Sequence, residues 1–441
     1  MTDQTQRYAG LRNPFSPGLS VAETASRLRR FAYVERRLMR LLASRVVTIP
    51  ERHVKALLAR LQYEHAQLAD AWQARVVELR TSKGRLDAVP DEALAILFDE
   101  AEHLPGTYVF LSAVAVQLLP ALRAAYESYL EQANDLADYA GVRLAKQALA
   151  AGVEHERLLA CTLAEVHSTD PERDEAGAWA QRLASYLAAA GGIDGTAERS
   201  PLLPRRASQQ PYVIPHALVR DAAIPRVWDY VAPPLEDVPL HLDYMMGLRL
   251  SEINVAEGLA IVLCETPDMP WDFYLDISRH CWDEMRHSLF GEAGIEDTFG
   301  DPAALPMRDY EGAFVMESPP LEQYAVLGLE VEGKNMRYPP GKRQEWEFAR
   351  DAARHPLMTT FQDFDWADEV VHVNIARRLL DGWFEGGLKT IGEFSATGKA
   401  HRTAVKRRHP PVALQHPAGA KQAGPAGDGE RSYSETTLGS P

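Results

Sequence analysis

Cysteine is scarce: the 441 residues hold three, Cys161, Cys264 and Cys281, with no CxxC pair. That excludes a disulfide framework and a thiolate metal knuckle, and it leaves small buried thiols as the expectation. Basic side chains are in deficit, with 47 Lys and Arg against 62 Asp and Glu and a formal charge of −15. Phosphate binding needs concentrated positive charge, so no nucleic-acid partner is expected. No uncharged apolar run reaches the ~18 residues a membrane span needs, so no membrane role is expected. The opening "MTDQTQRYAGLRNPFSPG" lacks the basic-then-apolar order of a signal peptide, and a cytoplasmic protein is the expectation. Also missing are a P-loop, a dinucleotide fingerprint, G-x-S-x-G and HExxH. Nucleotide-dependent, serine-hydrolase and zincin chemistry therefore have no carrier. Convincing strand alternation is absent too, which leaves an all-α fold.

What is there is helical pattern. Residues 1–19 read as an N-terminal tail. From 20 to 190 run amphipathic segments such as "SRLRRFAYVERRLMRLLASRVV", "ERHVKALLARLQYEHAQLADAWQARVVELR" and "GAWAQRLASYLAAAGG", the last stopped by its glycine pair. Residues 191–240 are rich in Pro, Gly and Ser and read as a linker that packs in places. A second helical region spans 241–395. Residues 396–441 have almost no apolar periodicity and are expected to be disordered. The two helical regions can be laid on one another, with Pro50 and Pro270 each fourteen residues before a glutamate, Glu64 and Glu284. That register pairs Glu35 with Glu252, Gln67 with His287, Glu131 with Glu330, Glu154 with Glu369 and Arg157 with His372. The first region would then be a degenerate copy that lost its histidines.

The second region carries the chemistry. "CWDEMRHSLF" holds Asp283, Glu284 and His287, and "DWADEVVHVN" repeats the run as Asp368, Glu369 and His372. Helix positions i and i+3 share a face, so Glu-x-x-His aims a carboxylate and an imidazole at one point. A bare Glu-x-x-His arises by chance about once in such a chain, and Glu100/His103 in "DEAEHLPG" reads as a helix-end pair of that kind. Two Asp-Glu-x-x-His runs would arise by chance on the order of a few times in a thousand. A bundle di-metal site needs two further lone glutamates, one from each remaining helix. Mirroring Glu284 through the "TPDMP" turn points to Glu252, in a stripe of Met245, Leu248, Val255 and Leu259, with Glu257 as competitor. Mirroring Glu369 points to Glu330. Glu332 lies on the more apolar stripe, while Glu330 fits the repeat and is preferred. His280, one turn before Glu284, reads as a core histidine beside the site, with ligation as the alternative.

On these motifs, residues 241–385 resemble the ferritin-like di-iron carboxylate superfamily, and "DEMRH" resembles the Asp-Glu-x-Arg-His run of its oxygen-activating oxidases and monooxygenases. The resemblance implies a ferritin-like four-helix bundle, with a second, degenerate helical bundle N-terminal to it. It implies six metal ligands: Glu252, Glu284 and His287 for one ion, and Glu330, Glu369 and His372 for the other, with Glu284 and Glu369 bridging. Asp283 and Asp368 would hold the histidines from behind, and Arg286 would hold one of those aspartates. Val371 stands where the second run lacks that arginine. The implied function is an oxidoreductase with two iron ions, manganese being the alternative, that activates O2 to oxidise or oxygenate a small organic substrate. An electron donor or reductase would be its partner, and a homodimer is compatible. A ferroxidase, or a helical scaffold with a structural or vestigial metal site, are the competing expectations.

Overall fold

The computed structural model describes residues 7–11, 14–383 and 387–417. The fold is helical, with two pairs of two-residue parallel strands among the described residues. Helix α1 (Val21–Thr48) starts at a capping box in which Ser20 Oγ accepts from the Glu23 amide and the Glu23 carboxylate accepts from the Ser20 amide. It stops at Ile49-Pro50, and α2 (Arg52–Glu78) folds back along it. Next come α3 (Glu92–Ala101), α4 (Thr107–Gln132), α5 (Tyr139–Glu165) and α6 (Asp170–Ala189). Helix α4 widens into a π turn at Val114–Leu118, just before Pro120. That placement fits the amide hydrogen and the ring space that proline denies an α-helix. This helix is long and apolar enough to cross a membrane by composition alone, yet half of that apolar stretch is buried inside the protein. The glycine pair does end α6, with Gly191 and Gly192 both at positive φ.

Residues 191–237 run without helix to the second region. There α7 (Val238–Leu250) and α8 (Ile253–Glu265) are separated by a break at Ser251-Glu252, where the sequence pattern reads as one helix. Helix α9 (Trp271–Phe299) carries the first motif, α10 (Tyr310–Glu317) is short, and α11 (Pro320–Ala325) runs on through a π turn at Val326–Glu332. Then come α12 (Lys342–Glu347) and α13 (Pro356–Trp383), which carries the second motif.

One continuous apolar core runs through both regions, because the α1–α2 hairpin packs on α8 and α9. Buried polar contacts cross the same boundary. Gln62 Nε2 donates to Ser278 O at 2.7 Å, and the Lys55 ammonium and Arg220 guanidinium both pair with Glu257. At the α7–α9 crossing, a Cβ on Gly291 would stand 2.1 Å from the Leu250 amide nitrogen, so only glycine permits the approach.

Order also extends past residue 395, which corrects the expectation of disorder from 396 onward. Helix α14 spans Gly387–Lys406, burying Ser395 and Val405 and tying Arg402 to Glu311, and just past its end Arg408 pairs with Glu317. Beyond it Val412–Ala413 pairs with Tyr230–Val231, and His416 Nδ1 meets Asp243 Oδ2 at 2.6 Å. Sparse apolar residues hid this segment, because ion pairs and a few buried contacts hold it. Residues 418–441 lie outside the described residues.

Candidate metal centre

Four stretches converge inside the second region: the α7–α8 break, α9, the end of the α11 π turn, and α13. Two groups of potential ligands result, His280, Glu284, Glu332 and His372 in one and Glu252, His287, Asp365 and Glu369 in the other, with donor atoms in each group within 4.8 Å of one another. Glu284 Oε1 lies 3.5 Å from His287 Nδ1 and 3.3 Å from His372 Nδ1, so that carboxylate stands between the groups. Five of the six residues implied by the motifs, Glu252, Glu284, His287, Glu369 and His372, are thus brought together.

The sixth is not. Glu330 is a surface residue paired with Lys334 and Lys399, and Glu332, buried to 1%, takes the inward place. Glu332 continues the buried line of Ala325 and Gly328, so the apolar stripe was the better guide than the repeat. Gly328, in the π turn, lets that segment approach α13 closely: a Cβ there would stand 2.2 Å from the Ala376 Cβ. Glu257, the competitor of Glu252, is turned away into the Lys55–Arg220 pair.

Two further residues join the groups: His280, for which the sequence leaves ligation as the alternative, and Asp365, which the sequence does not single out. His280 Nε2 lies 2.8 Å from Glu332 Oε1, and its ring stacks on His372 with centroids 3.7 Å apart. Asp365 is completely buried. Both stand four residues before their motif glutamate, one turn up the same helix face. The shared signal was therefore His280-x3-Glu284-x2-His287 beside Asp365-x3-Glu369-x2-His372.

The aspartates of the two motifs serve across the pair rather than on their own helices. Asp283 of α9 stands 3.3 Å from His372 Nε2 on α13, and Asp368 of α13 stands 3.3 Å from His287 Nε2 on α9. Each imidazole is thereby held with Nδ1 facing the carboxylates. Arg286 ion-pairs with both aspartates, reaching Asp283 Oδ1 at 3.3 Å and Asp368 directly. One arginine clamps both halves, so Val371 leaves nothing missing.

On the far side, Arg249 Nη1 donates to Glu252 Oε1 at 2.6 Å and to Asp365 Oδ1 at 2.7 Å. Lys342, 1% exposed, reaches Asp365 Oδ2 and Glu369 Oε1, each at 2.8 Å. Burial pushes the Glu252 carboxyl up to about 8 against the pull of Arg249 and Lys342, and pushes Glu369 up to about 7 against Lys342. Burial works the other way on His287, yet Asp365, Asp368 and Glu284 hold that imidazole up at about 10. Without a cation, protons on these groups have to balance the charge.

The donor set fits a pair of divalent cations. Glu252 Oε2, Glu284 Oε1, His287 Nδ1, Glu332 Oε2, Glu369 Oε2 and His372 Nδ1 are all buried without a hydrogen-bond partner, and His280 turns its Nε2 to Glu284 and Glu332. So many orphaned polar atoms in one core would be strongly destabilising unless something binds them. Eight carboxylates (Glu252, Asp283, Glu284, Glu332, Glu345, Asp365, Asp368, Glu369) face four cationic side chains (Arg249, Arg279, Arg286, Lys342), an excess of four negative charges. Two divalent ions beside neutral imidazoles would cancel it.

The first region carries a smaller buried polar cluster at the matching place. Glu35 accepts from Tyr126 Oη and pairs with His65 Nδ1, while Glu64 meets His155 Nε2 at 2.6 Å and Arg60 Nε at 2.7 Å. Glu35 and Glu64, laid on Glu252 and Glu284 in the sequence register, are linked there through His65 and His155, whose rings stand edge to face at 4.9 Å. Glu131 is exposed, and Glu154 forms a surface pair with Arg157, so those two correspondences gather nothing. The histidines His65 and His155 stand one residue beyond Glu64 and Glu154. Glu100 is a structural carboxylate that accepts from the Arg206 and Ser208 amides, while His103 Nδ1 meets Asp99 O. The three cysteines are free, Cys161 exposed and the other two buried.

No family model matches the chain, and neither a curated protein nor a solved structure does.

Proposed function

We propose that this chain is a ferritin-like di-metal oxidoreductase, holding two iron or manganese ions and using O2 to oxidise or oxygenate a small organic substrate. The observation that carries the reading is the set of six orphaned donor atoms on paired carboxylate–imidazole helices. Glu252, His280, Glu284, His287, Glu332, Glu369 and His372 would hold the ions. Asp365 would act from behind them, since Arg249 and Lys342 engage both of its oxygens. When bound, the ions supply the electrons and Lewis acidity that O2 reduction needs. The chain's own residues seal the site from water, fix the imidazoles through Asp283 and Asp368, and balance charge through Arg249, Arg286 and Lys342.

An apolar slot beside the centre supports a small substrate. Val255, Leu259, Val262, Phe314, Val315 and Leu327 line it, in a cavity of about 50 Å³. Tyr324 and Gln323 also line it, and Tyr324 Oη and Gln323 Nε2 are buried there without partners. The Tyr324 ring stands edge-on to His280 at 5.9 Å, so the slot abuts the ligand cluster. A compact, largely apolar molecule with one oxygen acceptor matches these walls.

The test is metal analysis of the purified chain, then O2 uptake after anaerobic Fe(II) loading in the presence of a reductant. About two ions per chain and iron-dependent O2 consumption are expected. Tight metal binding with no O2 consumption under any reductant would favour a scaffold with a structural metal. No metal in the protein as purified or after loading would remove the reading.

A further inference from the structure

We infer that the two halves of the centre are unequal: the half built on His280, Glu284, Glu332 and His372 fills first, and Lys342 keeps the other half weak. The inference rests on the di-metal reading above. In the first half two imidazoles and two carboxylates meet, and among the described residues the only ion pairs of Glu284 and Glu332 are with those and the neighbouring histidine. The second half has one imidazole, and each of its carboxylates already faces a fixed cation. Glu252 pairs with Arg249 at 2.6 Å, Asp365 with Arg249 at 2.7 Å and with Lys342 at 2.8 Å, and Glu369 with Lys342 at 2.8 Å. A divalent ion ligated by Glu252 and Glu369 would sit a few ångströms from an ammonium and a guanidinium. In a water-poor core that repulsion is weakly screened. Fewer imidazoles weaken the same half further for Fe(II), Co(II) or Zn(II).

Lys342 has little freedom to leave. It is 1% exposed and starts α12 directly after Gly341, whose φ is +152°. A Cβ on Gly341 would stand 2.2 Å from Arg337 O and 2.3 Å from Asn335 O, so the turn that delivers the ammonium is tightly packed. A charge so placed opposes the second ion permanently. At limiting metal the protein is therefore a one-ion protein, and the second ion is the exchangeable one.

The experiment titrates the metal-free full chain with Co(II) against a chromophoric chelator, and with Mn(II) followed by electron paramagnetic resonance. Two steps are expected, with dissociation constants at least roughly ten-fold apart. The first Mn(II) gives an isolated-ion signal and the second broadens it. Glu332→Gln should remove the tight step and Glu252→Gln the weak one. Lys342→Gln should narrow the gap at least roughly ten-fold, while Lys342→Arg, which keeps the charge, preserves it. Two equal sites in the unaltered chain, a gap unchanged in Lys342→Gln, or loss of the tight step in Glu252→Gln would each overturn the inference. Should Lys342→Gln fail to fold, the unaltered chain and the two glutamate variants still decide. Failure to bind any ion would instead remove the di-metal reading itself.

Discussion

Swapping either motif aspartate for asparagine should weaken the metal held by the other helix's histidine. Asp283 faces His372 Nε2 and Asp368 faces His287 Nε2, each at 3.3 Å, while both Nδ1 atoms point at carboxylates. Asparagine keeps the shape and an acceptor oxygen but loses the charge that makes the imidazole a better donor to a cation. Losing such a partner typically costs 10–100-fold in metal affinity, about 1.4–2.7 kcal/mol. Folding should barely register, because the cationic partners of the two aspartates, Arg286 and, for Asp283, also Arg279, are 29% and 41% exposed on their side chains. Pairs of that kind contribute about 0–1 kcal/mol. Competitive Co(II) titration resolves the halves, with Glu332→Gln and Glu252→Gln marking which is which. Asp283→Asn should weaken the half containing His372, and Asp368→Asn the half containing His287. Should each variant instead weaken the histidine of its own helix, or should neither reach two-fold, the crossed support would be wrong.

Glu332→Gln should abolish binding of one ion, whereas Glu330→Gln, a surface ion-pair residue, should change stability by about 0–1 kcal/mol and leave metal content alone. Metal affinity should fall as pH drops from about 8 to about 6, because Glu252 and Glu369 take up protons near pH 8 and 7 and a proton competes with the ion. Proton release on loading, read in weak buffer, checks it, and loading without release would refute it. Glu311→Gln should destabilise the fold at neutral pH. Burial raises that carboxyl, but Arg308 and Arg402 bring it down to about 2. A folded pKa below the unfolded one contributes stability above about pH 4.5 that is lost as pH falls toward 2, on the order of 3 kcal/mol. Denaturant unfolding at pH 7 and pH 3 should show a large difference from the unaltered chain at the first and less than half of it at the second. Gly258→Ala would place a Cβ 2.6 Å from Gln323 Oε1 in the apolar slot. It should lower substrate turnover with metal content unchanged, and unaltered turnover would exclude the slot as substrate site.

Much of this was legible because helices announce themselves through caps and stripes. The two Asp-Glu-x-x-His runs fixed which helices meet, and mirroring through a short turn found Glu252. Mirroring failed for Glu330, because the connection to α13 is long and irregular and the segment passes through a π turn, which alters the phase of the face. The ion pairs at i+4 to Lys334 and to the distant Lys399 marked Glu330 as a surface residue, and only the first is visible in sequence. Asp365 was lost among the neighbouring acids Asp363 and Asp368, since composition alone cannot rank them. The Lys342 ammonium was illegible for another reason: nothing local links a lysine in "PPGKRQE" to a carboxylate on the next helix.

The first region shows what a self-contained version of such a core requires. Both oxygens of Glu35 are engaged by His65 and Tyr126, and both of Glu64 by Arg60 and His155. Its carboxylates are answered by side chains, so that half needs no cation to be stable. In the second region Glu252, Glu284, Glu332 and Glu369 each keep one buried oxygen without a partner, within the same continuous core. Two polar clusters in one chain thus differ in whether the protein supplies the last partner. Where it does, Lys55, Gln62 and Arg220 knit the regions together; where it does not, the fold is left with a demand that a divalent cation meets.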